Sequence, residues 1–462
     1  MHRKQLIPVW LLVMSSFAVA QTLSPDIQSL DELSSARALV AASEDELGRH
    51  DMGMIEPLEQ LASELMALNQ FDQADAVLDR ALQLTRLQNG LHTPAQLGLI
   101  RTRIENFSNQ QDWASAREQM DYLFAYYLRV PVKLEESLID DFLALAEQHL
   151  RGAKEDSQIE QGRHLSRIYQ INQAIIYTAS QLYGQRSPEV APYIYRQVRH
   201  TYLFQKGNDA GGRTRTNANF HHQLRGQTIS WRRNSFKQKS YSDGLWLLSQ
   251  IRQLHAGPES ADPEGEAMAE LYIADWHLLF DFANKAKDQY ARAYKALQAA
   301  GVSDEELKEF FSKPQVLPVR RFHPILELAA GDSDDVEAVT SQNTEGTLMH
   351  RLSFIEWSTD YPTTRNPLLL DYESTNDPDY ALFEFTLPAT NESTFFYKHR
   401  YEQTIGRPVD VELLHGFTRL PNGNELAQER LDQLRFRPQL QSGVPIESRI
   451  QFQYGIAATL TD

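Results

Sequence analysis

A pattern of residue sizes that returns after 42 positions (71 to 113) constrains the fold of this 462-residue chain most strongly. In segments 69–81 and 111–123, an aromatic, a small, a large apolar and a further apolar residue recur at identical spacings. The members are Phe71, Ala74, Leu78 and Ala81, and then Trp113, Ala116, Met120 and Leu123. Segment 283–293 repeats the spacing from the small residue onward, in Ala286, Tyr290 and Ala293. We predict that the small residues lie where two antiparallel helices cross closely and that the large ones fill the gap beside them.

The surrounding sequence predicts a series of short helices. From about residue 26 to 312, apolar residues recur at helical spacing, and Gly, Asn and Pro separate helix-sized blocks. Two of the separating turns share a signature, Gly90-Leu-His-Thr-Pro94 and Gly184-Gln-Arg-Ser-Pro188. In each, we expect the glycine to end one helix, Thr93 or Ser187 to cap the next, and the proline to occupy its first position.

These repeats resemble the tetratricopeptide family, in a lengthened form with about 42 residues per unit. The resemblance covers residues 55–130 well and 263–300 in part, whereas the family's tryptophan and its Leu-Gly pair are not clearly present. It implies a curved helical solenoid whose groove binds proteins or peptides and performs no chemistry. A plain helical bundle is the other interpretation of the periodicity.

After residue 312 the spacing changes from helical to alternating. Apolar residues alternate with polar ones over 381–387, 409–413 and 446–454, which predicts half-buried antiparallel strands. Residues 424–434 have helical spacing and follow a Pro-Asn-Gly turn. The order of elements predicts a small α+β domain.

Two short runs in this domain are similar to the C-terminal domain of the TonB energy-transducer family. They are Leu434-Arg435-Phe436-Arg437-Pro438 and Gly443-Val444-Pro445-Ile446, within a match over about 380–455 in which Leu434 replaces the family's tryptophan. The resemblance implies the fold and a tendency to pair strands with partner peptides. It does not imply force transmission, which needs an inner-membrane anchor and a long proline-rich spacer. An unrelated α+β domain is the alternative.

The first residues have the features of a cleaved signal peptide. Arg3 and Lys4 precede a short apolar stretch, and Ala18-Val19-Ala20 forms a cleavage motif. A buried helix or a retained anchor are the alternatives. The chain has no cysteine, which excludes disulfides and cysteine nucleophiles and suits a bacterial periplasm. We therefore expect export to the periplasm with no stable membrane insertion.

A basic segment interrupts the helical pattern between residues 205 and 240. It contains eight Lys or Arg residues and one acid, Asp209, within a chain of net charge −17. It is either a docking loop for an acidic partner or a solvated loop that offsets nearby acidity. The candidate partner-binding residues are Arg213, Arg215, Trp231, Arg232, Arg233, Phe236, Lys237 and Lys239.

The sequence contains no recognisable catalytic motif. The nucleophile elbow, the zinc-protease helix, the dinucleotide fingerprint and the phosphate loop are all missing. Asp275 and His277 lie two positions apart, so a helix would not turn them toward each other as an acid–base pair. The acidic run 331–335 lacks the pattern of a calcium loop. We predict no catalytic residue, cofactor or metal, and the net acidity argues against nucleic-acid binding.

The predicted organisation has four parts. A signal peptide over 1–20 precedes a tetratricopeptide-like domain over 21–312 that contains the basic loop 205–240. A strand-containing connection over 313–379 then leads to a TonB C-terminal-like α+β domain over 380–462.

The predicted function is that of a periplasmic, non-enzymatic scaffold or adaptor that binds protein partners in the cell envelope. The alternative is an accessory factor of a TonB-linked envelope transport or assembly system. An enzyme of unrecognised class is a third hypothesis, which would require a pocket near residues 312–330.

Overall fold

The computed structural model of the chain divides into two compact units, residues 1–133 and 134–462. This division differs from the predicted boundary near residue 312, because the later helices belong to the same unit as the β-rich region. The structure describes residues 15–129, 134–157, 159–210, 233–257, 261–331, 341–342, 348–355, 380–390, 392–393, 401–402, 404–416 and 423–455.

The first unit consists of helices that pack in sequence order, each against the next. They are α1 (Ser15–Leu47), α2 (Ile55–Ala67), α3 (Phe71–Asn89), α4 (Leu97–Asn109) and α5 (Trp113–Arg129). Residues 1–14 of the predicted signal peptide lie outside the described residues, and its cleavage motif falls within α1. Within the described residues, no helix is long and apolar enough to span a bilayer.

The second unit begins with further helices in series. They are α6 (Glu136–Glu155), α7 (Gln161–Tyr183), α8 (Ala191–Ala210), α9 (Arg233–His255), α10 (Pro263–Leu279), α11 (Ala283–Ala299) and α12 (Asp304–Phe311), followed after a short extended stretch by α13 (Leu326–Gly331). Neighbouring helices pack together from α6 to α12. The coarse prediction of a mostly helical chain with a small β-containing region is therefore confirmed.

The positions predicted to carry the repeat are buried. The small residues Ala74, Ala116 and Ala286 are each 0% exposed, as are Leu78, Met120 and Tyr290 beside them. The turn before each segment has the same geometry, because Asn69, Gln111 and Asp281 all adopt left-handed φ angles of 56°, 63° and 66°. A residue in this conformation ends one helix and turns the chain into the next.

The two signature turns contain a feature that the sequence did not predict. Gly90 and Gly184 have positive φ angles, and the Thr93 and Ser187 side chains accept hydrogen bonds from the backbone N–H two residues later. The proline, however, begins a single 3-10 turn, and the α-helix starts three residues later in each case. Gly48 and Asp51 form a turn of the same kind before α2.

A five-stranded sheet with strand order β2-β3-β11-β4-β7 lies in the second unit. Its strands are β2 (Ser341–Gln342), β3 (Leu348–Ile355), β4 (Tyr380–Leu387), β7 (Val409–His415) and β11 (Ser448–Gly455). The pairings are antiparallel except for β3 with β11, which is parallel. Helix α14 (Gly423–Gln433) covers the core of the sheet with Ala427 and Leu431.

Three two-stranded pairs accompany the sheet. Strand β1 (Gln315–Leu317) pairs with β8 (Arg435–Arg437), β5 (Glu392–Ser393) with β6 (Tyr401–Glu402), and β9 (Leu440–Gln441) with β10 (Val444–Pro445). The β1–β8 pair joins the segment that follows the helices to the predicted Arg-Phe-Arg run. It thereby positions the site described next.

Candidate functional site

A non-helical segment of the chain lies across three helices of the second unit and bends at several positions. This segment, residues 315–326, is called the strap; it begins with β1 and ends at the first residue of α13. The side chains that contact it form what is called the cradle: Tyr195 and Arg199 on α8, His255 on α9, and Glu264 and Tyr272 on α10. The helical elements thus hold an irregular peptide segment that belongs to the same chain.

The cradle binds the strap through its backbone. The Tyr195 hydroxyl donates a hydrogen bond to the carbonyl oxygen of residue 319 at 3.0 Å. Arg199 donates to the carbonyl of residue 320 at 3.1 Å, and the Tyr272 hydroxyl donates to that of residue 321 at 2.9 Å. The N–H of His323 donates back to the Tyr272 hydroxyl at 3.2 Å. Three consecutive carbonyl groups therefore receive side-chain donors, which fixes the path of the backbone.

Two strap side chains are anchored between these contacts. Phe322 is 3% exposed, and its ring lies 4.9 Å from that of Tyr272 and 5.6 Å from that of His255, measured between ring centroids. Pro318, four residues earlier, is also buried, whereas Arg320 and Arg321 between them are exposed. The strap therefore buries these two anchors, while Arg320 and Arg321 between them stay exposed.

The donor state of Tyr195 follows from its surroundings. Burial raises the pKa of its hydroxyl well above the usual value, and the neighbouring Tyr272 raises it further, although Arg199 acts in the opposite direction. The phenol therefore stays protonated and remains a hydrogen-bond donor to the strap at neutral pH.

A buried ion pair joins the strand β8 to helix α10. The Arg437 Nε donates to the Asp275 Oδ1 at 2.9 Å, and Nη2 donates to the other carboxylate oxygen. The Tyr290 hydroxyl on α11 donates to the same Oδ1 at 2.7 Å. Burial by itself would lower the pKa of Arg437, but Asp275 raises it above its ordinary value. The pair holds its charges because each neutralises the other.

A second acidic residue, Asp281, collects three cations at the turn between α10 and α11. Its carboxylate accepts hydrogen bonds from Arg407 at 2.6 Å, Lys237 at 2.8 Å and Arg435 at 3.2 Å. Burial alone would raise the pKa of this carboxyl group, but the cations, with Arg435 first, lower it well below its usual range. Asp281 therefore stays ionised and connects α9 to the β-rich region.

The predicted partner-binding residues fall into three groups. Arg213, Arg215, Trp231 and Arg232 lie outside the described residues, while Arg233 and Phe236 belong to the first turn of α9. Lys237 pairs with Asp281, and Lys239 pairs with Asp243 one helical turn later. Helices α8 and α9 extend into both ends of the segment expected to be a loop, because helical backbone continues to residue 210 and resumes at 233. Partner binding by the eight residues stays a prediction.

The pair Asp275 and His277 behaves as the helical spacing predicted, since each side chain has a different partner. The Nδ1 atom of His277 lies 2.9 Å from the Tyr241 hydroxyl, and the ring is 9% exposed. Burial, with Lys285 and Arg292 nearby, lowers the pKa of His277 to about 4. Sequence analysis did not identify Asp275 as the partner of Arg437.

The described residues contain no group of three or more His, Asp or Glu side chains that could hold a metal ion. Two contacts between such side chains share His164. The Nδ1 atoms of His149 and His164 lie 3.1 Å apart, and the Nε2 atom of His164 lies 3.1 Å from the Asp156 Oδ2. The acidic run considered for calcium lies, from residue 332 onward, outside the described residues.

Comparison with known proteins gives little to add to this geometry. No family model matches the chain. No curated protein matches it either. Among solved structures, the chain is similar to one titled "Crystal structure of BtubC (BKLC) from P. vanneervenii", with 12% sequence identity over 64% of this chain and 93% of that chain. The TM-score of 0.26 is too low to support an argument about fold or function.

Proposed function

We propose that this protein is a non-enzymatic adaptor that binds peptide segments of protein partners. The observation that supports this proposal is the strap, whose consecutive backbone carbonyls at residues 319–321 accept hydrogen bonds from side chains of two helices, α8 and α10. Recognition of this kind depends on backbone path and on a few anchors, as in other peptide-binding grooves. The tetratricopeptide-like repeats of the first unit offer further helical surface for the same purpose.

A second surface suited to a partner is the edge strand β7. Among the strands that the structure describes it is the last in the order of the sheet, and Leu413 and Leu414 on it are 41% and 43% exposed. A strand at a sheet edge presents backbone groups with which a partner's strand can pair. This feature, together with the resemblance of residues 380–455 to the TonB C-terminal domain, favours the second candidate function, an accessory role in a TonB-linked envelope system.

We place the adaptor in the periplasm, on the strength of the predicted signal peptide and the lack of cysteine. Its partners would then be proteins or peptides of the cell envelope. The TonB-like resemblance and the tetratricopeptide resemblance both stay proposals at this level of detail.

The test uses point variants of the full chain. Deleting residues 313–462 would remove Arg437 and leave Asp275 without its buried partner, so the helices themselves would lose stability. We would instead place a photo-crosslinking residue at Leu414 on β7 and, separately, at Leu87 on α3, which is 75% exposed. Cross-linking in periplasmic extract should trap a defined protein at one of these positions or at both.

The matched control separates specific from adventitious capture. Leu413→Lys places a charge on the strand next to the cross-linking residue at position 414 and should abolish a β7 cross-link, whereas Leu328→Lys, at a 52% exposed position on α13, should not. If the protein is an adaptor, at least one cross-link must disappear when the surface that carries the cross-linking residue is substituted. If no protein is trapped at either position, or if both lysine variants act alike, the adaptor proposal is wrong.

A further inference from the structure

We propose that the cradle is a binding site for peptide segments with a proline and a phenylalanine four residues apart, and that the strap is its internal ligand. A partner's segment of the same chemistry displaces the strap and occupies the cradle in its place. This inference rests on the proposed adaptor function and gives it a ligand class.

The cradle contacts the strap through hydrogen bonds to its backbone. The Tyr195, Arg199 and Tyr272 donors each reach a carbonyl oxygen, and those three carbonyls belong to the three residues between the two anchors. Every peptide has such carbonyls, so these contacts fix the backbone path without requiring particular side chains. The side chains of residues 320 and 321 are exposed.

Selectivity comes from the anchors. Phe322 fits among aromatic rings, with centroid distances of 4.9 Å to Tyr272, 5.6 Å to His255 and 6.3 Å to Tyr195. Pro318 is buried four residues before it. Aromatic rings packed in this way add about 0.5–1.5 kcal/mol to the burial of the ring itself. The cradle is therefore selective for a proline and an aromatic residue at this separation.

A third contact sets the end of the site. Leu326, four residues after Phe322, is 3% exposed, and its N–H donates to the Glu264 Oε1 at 2.8 Å. The acceptor belongs to a glutamate on the first turn of α10, so the cradle offers donors along its length and an acceptor at its end. The pattern expected of a competing ligand is therefore Pro-x-x-x-Phe-x-x-x-Leu, bound along the backbone path of the strap.

The strap holds an advantage over any competitor because it is tethered to its site. The β1–β8 pair fixes one end through Val316 and Phe436, and α13 follows the other. Tethering corresponds to an effective concentration on the order of millimolar. A displacing segment must therefore bind tightly or be present at a high local concentration. The strap thus keeps weakly binding peptides out of the cradle.

The exposed arginines of the strap allow displacement to be measured directly. Trypsin cleaves after Arg320 and Arg321 only when the backbone leaves the cradle, so the cleavage rate reports the open population when opening and closing are fast. The probe is a synthetic peptide with the sequence of residues 314–326 in which both arginines are replaced by glutamine, so that trypsin does not cut it. Cleavage of the full chain is followed bond by bond by mass spectrometry, with the bond after Arg49, whose side chain is 79% exposed, as the internal reference.

We expect the peptide to accelerate cleavage at Arg320 and Arg321 about tenfold at a concentration ten times its dissociation constant for the open cradle. Cleavage at Arg49 should not change. The same peptide with alanine in place of the phenylalanine should give no acceleration. Equal effects of the two peptides, no effect of either, or a strap that is never cut would show that the strap is a fixed part of the fold.

A variant of the cradle gives an independent check. Tyr272→Phe removes the hydroxyl that contacts residues 321 and 323 and keeps the ring that packs on Phe322. It should raise the basal rate of strap cleavage, whereas Tyr294→Phe on α11 should not. If Tyr272→Phe fails to fold, the peptide experiment on the unmodified chain still tests whether the strap can be displaced. None of these measurements requires a natural partner, so a negative result here is distinct from failure of the cross-linking experiment.

Discussion

The ion pair of Asp275 with Arg437 gives the sharpest prediction about stability, tested by the substitution Asp275→Asn. The side chains of Asp275 and Arg437 are 6% and 5% exposed, and Tyr290 beside them is 0% exposed. Asparagine has nearly the same shape and keeps an oxygen that accepts from the Tyr290 hydroxyl. The substitution therefore removes mainly the negative charge and leaves a guanidinium buried without a counter-charge.

Loss of one partner from a buried ion pair costs about 3–5 kcal/mol, mostly from the desolvation of the remaining charge. With a urea dependence of about 3 kcal/mol per molar, the midpoint for the second unit should fall by about 1–1.7 M. The double variant Asp275→Leu with Arg437→Met replaces both charges by apolar side chains. It should lie within about 1–2 kcal/mol of the wild type, because no charge is left unpaired.

Hydrogen exchange at increasing urea is the appropriate assay, because the chain has two compact units and overall signals would mix their transitions. Peptides from β8 report on the second unit, and peptides from α3 serve as an internal control. Arg163→Gln, in the solvent-accessible pair with Glu160 in the second unit, should change stability by about 0–1 kcal/mol. The prediction is refuted if Asp275→Asn shifts the β8 transition no more than Arg163→Gln does, or if the double variant is as unstable as the single one.

Three further predictions concern packing, a turn and pH. Ala74→Leu at the 0% exposed helix crossing should cost about 1–3 kcal/mol, whereas the exposed Ala76→Leu should stay within about 0.5 kcal/mol, as measured by thermal unfolding of the first unit. Gly443→Ala should cost about 1–3 kcal/mol, because Gly443 has a φ of 78° and an added Cβ would lie 2.8 Å from the Cβ of Tyr294. Burial lowers the pKa of His200 to about 3, below the unfolded value of about 6.5. The contribution of the neutral ring to the free energy of unfolding is therefore complete above pH 6.5 and is lost as the pH falls. Between pH 7.5 and 5, the free energy of unfolding of His200→Gln should fall by about 2 kcal/mol less than that of the wild type, and equal decreases would contradict the assignment.

The elements with a clear period were predictable from the sequence. Strands β4, β7 and β11 and helix α14 lie within one or two residues of the alternating and helical runs at their positions. The repeat positions, such as Ala74 and Ala116, are buried as their size and spacing indicated. In all these cases the pattern is local, because one face of a helix or strand is apolar.

The strap and the parallel strand pair were not predictable in this way. The strap is a short irregular segment whose contacts come from helices 49 to 124 positions away, and no period marks such a segment. Strand β3 lies within the segment 313–379, which has no clear alternation, so its parallel pairing with β11 could not be foreseen. The His149 and His164 contact likewise depends on how two helices pack.

A comparison among the repeats does indicate, however, where the helices contact the β-rich region. The position that fills the gap beside the helix crossing holds Leu78 and Met120 in the first unit and Tyr290 in the second. All three are fully buried, but only the tyrosine has a polar group, which must then find a partner. That partner is Asp275, which in turn binds Arg437. A hydroxyl at an otherwise apolar repeat position thus indicated a buried polar contact.

The charge of the residue at the left-handed turn position indicates the same contact region. Asn69 and Gln111 occupy it with neutral side chains, whereas Asp281 places a carboxylate there, and the backbone φ angle is the same within 10°. The turn therefore does not require the charge, and the charge must serve another contact. Arg407 and Arg435 supply that contact from the β-rich region. Departures from the repeat at both positions fall on the side of α10 and α11 that meets β8, so the sequence marks where the helical series contacts the β-rich region.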